Sequence, residues 1–355
     1  AQMTIGGTAS SVTVSIETIH DSLPAVLDLA GEVLKEAALP ESEFEQVRKQ
    51  RLISLEAGKA EPQMRAINML NRTLYPFPAG DVRGTPTIDE EIAAVKTARL
   101  EDSKQFYQHF YGASNAELAV VGDFDAGVVK RTAGELFGSW KSPAPFTRVK
   151  TGFQKIDVVN ESIETPDKAN AWWFAGTRLN MSDENPDYAA VLFGNYMLGG
   201  GFLNSRLANR IRVKDGLSYG IGSMFAAKPD ESDARLLVYA IAAPQNVAKV
   251  EAAFKEEVTR ALKEGFTKTE VDGDRGGWLQ SQQVGRADDR ALCGILSTHA
   301  FNDRTLAFDA GLEEKVKSLT PEQINQAFQR HIDVSQISII KAGDFTKKAP
   351  PPAGQ

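Results

Sequence analysis

The chain has 355 residues, more than one compact core usually holds, so its length predicts two or more domains. Hydrophobic residues make up 42% and charged residues 25% of it, which excludes a disordered or fibrous chain. The formal net charge of -7 provides no overall basic field, and nucleic acid is therefore not an expected partner. The single cysteine, Cys293, excludes an internal disulfide framework.

The sequence carries no membrane signal. No apolar stretch approaches the roughly 20 residues that a membrane-spanning helix needs, and no basic-then-apolar signal peptide opens the chain. We therefore expect a soluble protein without a membrane partner, in a compartment, cytoplasmic or periplasmic, that the sequence does not specify. The chain begins with Ala1 and enters a strand pattern almost at once, which suggests that residues upstream of it have been removed.

The first 140 residues predict strands at both ends of a helical series. Residues 11–19 alternate apolar and polar side chains with the period of a half-buried strand. Gly58, Pro62 and the proline-containing loop at 75–80 interrupt the helical spacing that follows. A short apolar strand at 117–121 comes next, and one more helix runs through residue 136. The helices predicted before this strand in the chain cover about residues 22–34, 41–55, 66–74, 88–95 and 100–111.

The second half repeats the change from strands to helices. Its pattern predicts a helix at 186–198, a glycine run, and a short helix carrying Leu203, Leu207 and Ile211 on one face. Long helices follow from about 245 to 298, and two more helices continue to His331. The predicted strands lie near residues 153–159, 169–177, 217–224, 234–242 and 337–340.

The two halves resemble each other. Each ends on Gly-Asp-Phe, at 122–124 and at 343–345, after a similar order of elements. We therefore predict an α+β fold of duplicated two-layer units, each an antiparallel-rich sheet covered by helices, with the first unit incomplete. The predicted boundaries are an N-terminal unit at 1–140, a linker at 141–151, a C-terminal unit at 152–346 and a flexible tail at 347–355.

The residues between 199 and 220 carry the most chemical information. Arg212 lies at the end of the short helix, Asp215-Gly216 predicts a turn, and Tyr219 follows on the next strand. A guanidinium and a phenol that converge would suit a peptide carbonyl that becomes an oxyanion, because both donate hydrogen bonds and one is positively charged.

Each of these features also has a structural interpretation. Arg212 would form a surface ion pair with a nearby acid such as Asp215, and Tyr219 would pack as an ordinary strand aromatic. The run Gly199, Gly200 and Gly201 would be either a helix stop or a loop whose exposed amides let another backbone approach.

The motifs Gly-Gly-Gly, Ser-Arg-Leu, Ile-Arg and Gly-Leu-Ser-Tyr, in this order, resemble the second half of pitrilysin/insulinase-family zinc metallopeptidases, which include insulin-degrading enzyme and mitochondrial processing peptidase. Further similarity covers nearly the whole chain. The resemblance implies that Arg212 and Tyr219 reach the zinc site of the other half and stabilise the substrate carbonyl in the transition state. It also implies a substrate-binding role for Gly199, Gly200 and Gly201.

The family's zinc motif, His-x-x-Glu-His, is absent from this sequence. We therefore assign no metal to this chain and expect zinc in a partner half. Glu56 and Glu61 lie near the position of the family's further glutamate ligand, but without the histidines we expect them to be solvated. The histidines that stand alone are His20, His109, His299 and His331.

Two explanations fit the missing motif. The zinc helix would lie upstream of residue 1 in a truncated peptidase, or the chain is the non-zinc partner of a zinc-bearing homologous subunit or half. We favour the second explanation, because the resemblance includes peptidases built as such pairs. The chain would then help to enclose a peptide or unfolded polypeptide held as an added strand along a sheet edge. The alternative is a non-catalytic scaffold or peptide-binding subunit of the same family.

Overall fold

The computed structural model describes residues 1–346, apart from the side chain of Phe202. The predicted tail at 347–355 lies outside the described residues. The strands are β1 (Gln2–Gly7), β2 (Val12–Glu17), β3 (Asn160–Glu164), β4 (Ala171–Leu179), β5 (Gly220–Ala227), β6 (Ala234–Ala242) and β7 (Ser338–Gly343). The α-helices are α1 (Leu23–Lys35), α2 (Glu41–Gly58), α3 (Pro62–Leu74), α4 (Ile88–Thr97), α5 (Leu100–Phe110), α6 (Ala126–Phe137), α7 (Tyr188–Asn195), α8 (Val247–Glu264), α9 (Lys268–Ala287), α10 (Asp289–Phe301), α11 (Ala307–Ser318) and α12 (Pro321–His331).

The strands form a two-stranded hairpin of β1 and β2 and a five-stranded sheet in the order β3-β7-β4-β6-β5. In the larger sheet β3 runs parallel to β7, and every other neighbouring pair is antiparallel. The predicted α+β class with an antiparallel-rich sheet is confirmed.

The chain forms two compact units, and neither is continuous in sequence. Unit 1 comprises Ala1–Ile53, Ala93–Val149 and Val284–Leu306, and unit 2 comprises Ser54–Ile92, Lys150–Gln283 and Ala307–Gln355. One division falls between 149 and 150, inside the predicted linker, and one falls between α10 and α11. The other three fall inside α2, α4 and α9. The boundaries predicted from the repeat do not show that 54–92 belong to unit 2 or that 284–306 belong to unit 1. The limits of the two repeated units, 1–140 and 152–346, stay a prediction.

The core of unit 2 lies on both faces of the five-stranded sheet. Trp173 of β4 is fully buried on one face, where its ring meets Phe254 of α8 edge to face at 4.9 Å. On the opposite face α3 packs through a buried apolar stripe that includes Leu70 and Leu74. Gly176 of β4 permits this approach, because a Cβ there would lie 3.0 Å from the Leu74 side chain. This packing explains why a helix from the first half belongs to unit 2.

Unit 1 is built from the β1–β2 hairpin and helices. In α1, Gly31 lets α6 come close, since a Cβ there would lie 2.9 Å from Leu136. Tyr107 of α5 donates a hydrogen bond to the Leu34 carbonyl at 2.9 Å. The strand predicted at 117–121 is wrong: this segment has no regular structure. A strand needs a neighbouring strand for its backbone groups, and no strand among the described residues pairs with this segment.

Candidate peptide-contact site

The glycine run forms a helical turn. After α7 the chain widens into a π-turn, Tyr196–Gly200, which closes with a hydrogen bond of 2.7 Å from Gly201 N to Tyr196 O. Gly199 is buried against β5, and a Cβ there would lie 2.5 Å from the Ser223 hydroxyl. Gly200 is exposed. The first two glycines are therefore neither a simple helix stop nor an open loop, and the need for glycine at 199 is close packing.

A buried hydrogen bond between two side chains connects the start of this π-turn to β5. Ser223 of β5 donates a hydrogen bond of 2.7 Å to the Asn195 side-chain carbonyl, and both residues are buried. A buried hydroxyl and amide are costly unless they are paired. The pair therefore fixes the end of α7, and with it the glycine turn, to the edge strand of the sheet.

A second π-turn, Ala208–Lys214, carries the predicted arginine. Its backbone bond from Asp215 N to Arg210 O, 3.1 Å long, joins residues five apart and aligns their side chains. Arg210 accordingly pairs with Asp215, and it also donates to Glu256 at 3.1 Å. The surface pair between Arg212 and Asp215 is thus wrong, because the π geometry assigns this acid to Arg210.

Arg212 is exposed, and within residues 1–346 its side chain has no hydrogen bond or ion pair. It lies with Lys214 in the last turn of its helical segment, where the exposed carbonyls of a helix end favour positive charge. The guanidinium is therefore available to a ligand.

The turn after Arg212 folds the chain back as predicted. Gly216 has φ +62°, in the left-handed region, and Leu217 N donates to Ile211 O at 2.9 Å. Tyr219, two residues later, is 65% exposed and precedes β5 directly. The interpretation of Tyr219 as a packed strand aromatic is therefore wrong. The backbone bond brings the chain segments of Arg212 and Tyr219 together, and no hydrogen bond joins the two side chains in the described structure.

Ser218 shapes the start of β5. This buried residue accepts a hydrogen bond from Gly220 N at 3.1 Å, and its hydroxyl lies 2.6 Å from Gly220 O and 2.9 Å from Ile241 O. Tyr219 N bonds Ile241 O at 2.8 Å. A hydroxyl inserted at a strand start locally replaces the regular ladder, as in a bulge, and such irregularities re-aim neighbouring side chains.

The five-stranded sheet has one charged edge and one uncharged edge. At the β3 edge, Asn160 and Glu164 already bond neighbouring groups, and the strand also carries Glu161. At the other edge, β5 has the sequence Gly-Ile-Gly-Ser-Met-Phe-Ala-Ala, with no charge, and only β6 pairs with it among the described residues. A long uncharged edge strand is a template for another strand. Tyr219 lies at the start of this edge.

The residues present do not fit a zinc ion. No group of three or more His, Cys, Asp or Glu side chains in the part of the chain that the structure describes is placed to hold a metal. His331 bonds Asp187 at 2.8 Å and His20 lies 3.1 Å from the Asp123 carbonyl, so each imidazole has a local partner. The acids near the expected further ligand position also form surface ion pairs, Glu56 with Lys59 at 3.8 Å and Glu61 with Lys168 at 2.9 Å.

The sequence interpretation missed the residue that anchors this site. Arg206, of the Ser-Arg-Leu motif, forms an ion pair with Glu270 of α9 at 2.7 Å. Burial alone would raise the pKa of Glu270, but hydrogen bonds from Arg206 and Thr267 outweigh it and lower this pKa to about 2. The available signal was Thr267-Lys268-Thr269-Glu270, which has the spacing of a capping box. It indicates the start of α9 but not the distant arginine.

The sequence of the chain matches a known family. The family described as "Peptidase M16 inactive domain" matches residues 97–275, half of the chain, and the chain belongs to this family. The resemblance to pitrilysin/insulinase-family zinc metallopeptidases is confirmed.

Two similar proteins have names that differ. One is a "non-peptidase homolog", YmxG, of Helicobacter pylori, 20% identical over 331 residues, covering 92% of this chain and 73% of that protein. The other is an "uncharacterized zinc protease" of Streptomyces coelicolor, 25% identical over 321 residues, covering 86% of this chain and 66% of that protein. The chain thus spans only about two thirds to three quarters of the length of these relatives.

Solved structures share the fold. A peptidase M16 inactive domain from Pseudomonas fluorescens has a TM-score of 0.79 at 23% identity, over 96% of this chain and 80% of that one. A protease from Helicobacter pylori has a TM-score of 0.82 at 16% identity, over 96% and 82% of the two chains.

Among residues 1–346, no helix has the length and apolar composition to cross a membrane.

Proposed function

We propose that the chain is the non-zinc half or subunit of an M16-family peptidase, where it helps to hold an extended peptide and directs Arg212 and Tyr219 at a peptide carbonyl. The observation that carries this proposal is the pairing of the arginines. Arg206 and Arg210 are neutralised by acids, whereas Arg212 is exposed and unpaired in the described structure. A guanidinium left free beside an exposed phenol suits a ligand that accepts hydrogen bonds.

The two side chains would act on the carbonyl oxygen. When water attacks a peptide carbonyl, its oxygen gains negative charge, and fixed donors that meet this oxygen stabilise the transition state more than the ground state. Arg212 supplies N–H donors with positive charge and Tyr219 supplies an O–H donor. The proposed zinc lies in a homologous partner half, since the described residues of this chain do not form a zinc site.

The β5 edge would hold the peptide. A peptide added as a strand would pair with backbone groups of Gly220–Ala227 and run past Tyr219. Gly199 packs beneath this strand on Ser223, so the glycine turn and the edge form one continuous feature. Gly200 and Gly201, which follow Gly199 in the chain, would contribute backbone contacts to the peptide.

Turnover by the assembled enzyme tests the catalytic role. We expect Tyr219→Phe and Arg212→Gln, each combined with a zinc-bearing M16 homologue from the same organism, to lower kcat by about tenfold to a thousandfold. Lys214→Gln removes an exposed cation from the same turn and is the matched control, with kcat unchanged. Equal turnover in all variants of an active assembly would reject the role of the pair.

A second experiment tests strand addition. Calorimetry would compare an extended peptide with the same peptide methylated at alternate backbone nitrogens, which removes pairing donors but keeps every side chain. We expect methylation to abolish binding. Equal affinity of the two peptides would reject the β5 edge as the holding element.

The second candidate function is a non-catalytic scaffold or peptide-binding subunit. The Helicobacter pylori relative favours it, since that protein is described as a non-peptidase homolog. A scaffold would bind peptide or partner but would not raise the partner's peptidase activity. It would also keep its function when Arg212 is changed, and the kcat comparison therefore separates the two functions.

A further inference from the structure

Arg206 makes more contacts than a surface ion pair requires. Its Nε and one Nη donate to the two oxygens of Glu270 at 2.7 and 2.8 Å, and the same Nη donates to the Gly265 carbonyl at 2.7 Å. The guanidinium also lies over the Phe266 ring, 4.6 Å from its centroid. Only 12% of the Arg206 side chain is exposed. A planar fork in this environment fixes both position and orientation.

The groups that receive Arg206 are themselves fixed. Glu270 caps α9, because it accepts from Thr267 N at 2.7 Å while the Thr267 hydroxyl accepts from Glu270 N at 3.3 Å. The turn at Gly265 has φ +77° and is held by Asn325 of α12, whose side-chain oxygen accepts from Phe266 N at 2.6 Å. Arg206 is therefore attached to a junction of α8, α9 and α12.

Arg206 lies in a segment whose backbone is less regular than the helices α8, α9 and α12 that it contacts. It contains the loop after the glycine turn and the second π-turn, and π geometry is uncommon and concentrated at functional sites. At the far end, Arg210 makes the other attachment, to Glu256 of α8. Arg212 lies beyond both attachments. Arg206 and Arg210 thus add two polar attachments to a segment whose Leu207 and Ile211 side chains are buried in the core.

We infer that Arg206 is a positioning residue: its forked pair with Glu270 sets the conformation of residues 205–214, and through it the placement of Arg212. The consequence for peptide binding rests on the proposed function, whereas the conformational role does not. Lysine cannot replace arginine fully, because an ammonium lacks the planar fork that meets Glu270 and Gly265 together.

Amide hydrogen exchange on the full chain tests the inference directly. We expect Arg206→Ala to speed exchange of amides 205–214 by about tenfold or more, the loss of one charged, hydrogen-bonded pair. Amides of β4 and β6 should keep their rates. Arg206→Lys should give an intermediate increase. The control is Arg260→Ala. Arg260 also pairs with an acid, Glu257 at 2.7 Å, but both residues lie in α8, so its removal should leave exchange of 205–214 unchanged.

A pH series separates positioning from a general loss of stability. In the wild type the hydrogen bonds from Arg206 and Thr267 hold the pKa of Glu270 at about 2, so exchange of 205–214, corrected for intrinsic rates, should speed up as pH falls from about 4.5 toward 2. Arg206→Ala has no guanidinium to lose when Glu270 is protonated, so its faster exchange should lack this acid dependence. Glu270→Gln should lack it as well.

The outcomes are distinct. Unchanged exchange at 205–214 in Arg206→Ala, or equal acceleration throughout β4 and β6, would overturn the inference. Local acceleration with unchanged peptide affinity, while Arg212→Gln loses affinity, would also overturn the link to Arg212. If Arg212→Gln binds peptide normally, the proposed function fails on that variant alone, and the exchange result still decides the conformational role.

Discussion

Unit 1 and unit 2 differ in how much apolar surface their elements bury. Unit 2 has a five-stranded sheet with helices on both faces, and large side chains such as Trp173 and Phe254 are fully enclosed. Unit 1 has a two-stranded hairpin, and Phe106 and Phe110 of α5 remain about half exposed. A wide sheet offers two faces against which amphipathic helices can close, and a hairpin does not. Three pairs of changes and one single change break or sharpen this contrast.

The largest difference should come from aromatic truncation. Phe254→Ala leaves a cavity beside Trp173 in unit 2 and should cost about 3–5 kcal/mol in free energy of unfolding. Phe106→Ala in unit 1 removes a side chain that is 46% exposed and should cost much less. Urea unfolding followed by probes in each unit measures both changes. Equal losses would contradict the difference in burial.

Ion pairs should show the next difference. Arg178 and Asp233 of unit 2 form a pair at 2.7 Å with each side chain only 1% exposed, and Arg178 also lies over the Tyr75 ring. Asp233→Asn leaves Arg178 without its charged partner and should cost about 3 kcal/mol or more. Asp102→Asn breaks the solvent-exposed pair with Arg99 in unit 1 and should leave the unfolding midpoint unchanged. A midpoint that moves equally in both variants would argue against this assignment of burial.

Two helical glycines provide a smaller, signed comparison. In unit 2 a Cβ at Gly194 of α7 would lie 2.2 Å from the Phe328 ring, so Gly194→Ala should destabilise by about 1–3 kcal/mol. In unit 1 nothing lies within 4 Å of a Cβ at Gly134 of α6, so Gly134→Ala should stabilise by up to about 1 kcal/mol. Thermal unfolding gives the sign of each change. A stabilising Gly194→Ala would show that α7 and α12 pack less closely than described.

The smallest expected effect is on the acid sensitivity of unit 2. Burial alone would raise the pKa of Glu251 in unit 2, but hydrogen bonds from Lys255, Lys341 and Asn160 lower it to about 2. A carboxyl whose pKa is depressed on folding stabilises the protein above its unfolded value, near 4.5, and this contribution is lost as pH falls toward 2. Glu251→Gln should therefore flatten the dependence of unfolding free energy on pH between these values. The same slope in wild type and variant would exclude Glu251 as a source.

Local patterns predicted β4, β5, β6 and β7 within a few residues. The strand predicted at 153–159 is wrong, since β3 is Asn160–Glu164, and so is the strand predicted at 117–121. The run that became β6, Ala234–Ala242, is apolar over most of its length and has the neighbours β4 and β5 to pair with. The segment at 117–121 is also apolar but has no partner strand among the described residues. Strand formation depends on a partner that can be far away in sequence, and a local pattern cannot supply that information.

The candidate site shows the same limit. The motif from Gly199 to Tyr219 was found in the sequence, and so was the turn at Gly216. The alternative interpretation, an ion pair of Arg212 with Asp215, was wrong because a π-turn, which a period of 3.6 does not reveal, aligns Asp215 with Arg210. The assignment of Arg212, Tyr219 and the glycines to a peptide stays a proposal.

The sequence by itself determined the α+β class, the family and the motif that contains the exposed arginine and tyrosine, because period, turn chemistry and short motifs are local properties. Tertiary structure alone decided that α3 packs on the sheet of unit 2, that β5 forms an uncharged edge, and that Glu270 and Asp215 neutralise Arg206 and Arg210 while Arg212 stays exposed. These outcomes depend on which distant residues become neighbours, and contacts of that kind arise only when the whole chain has folded.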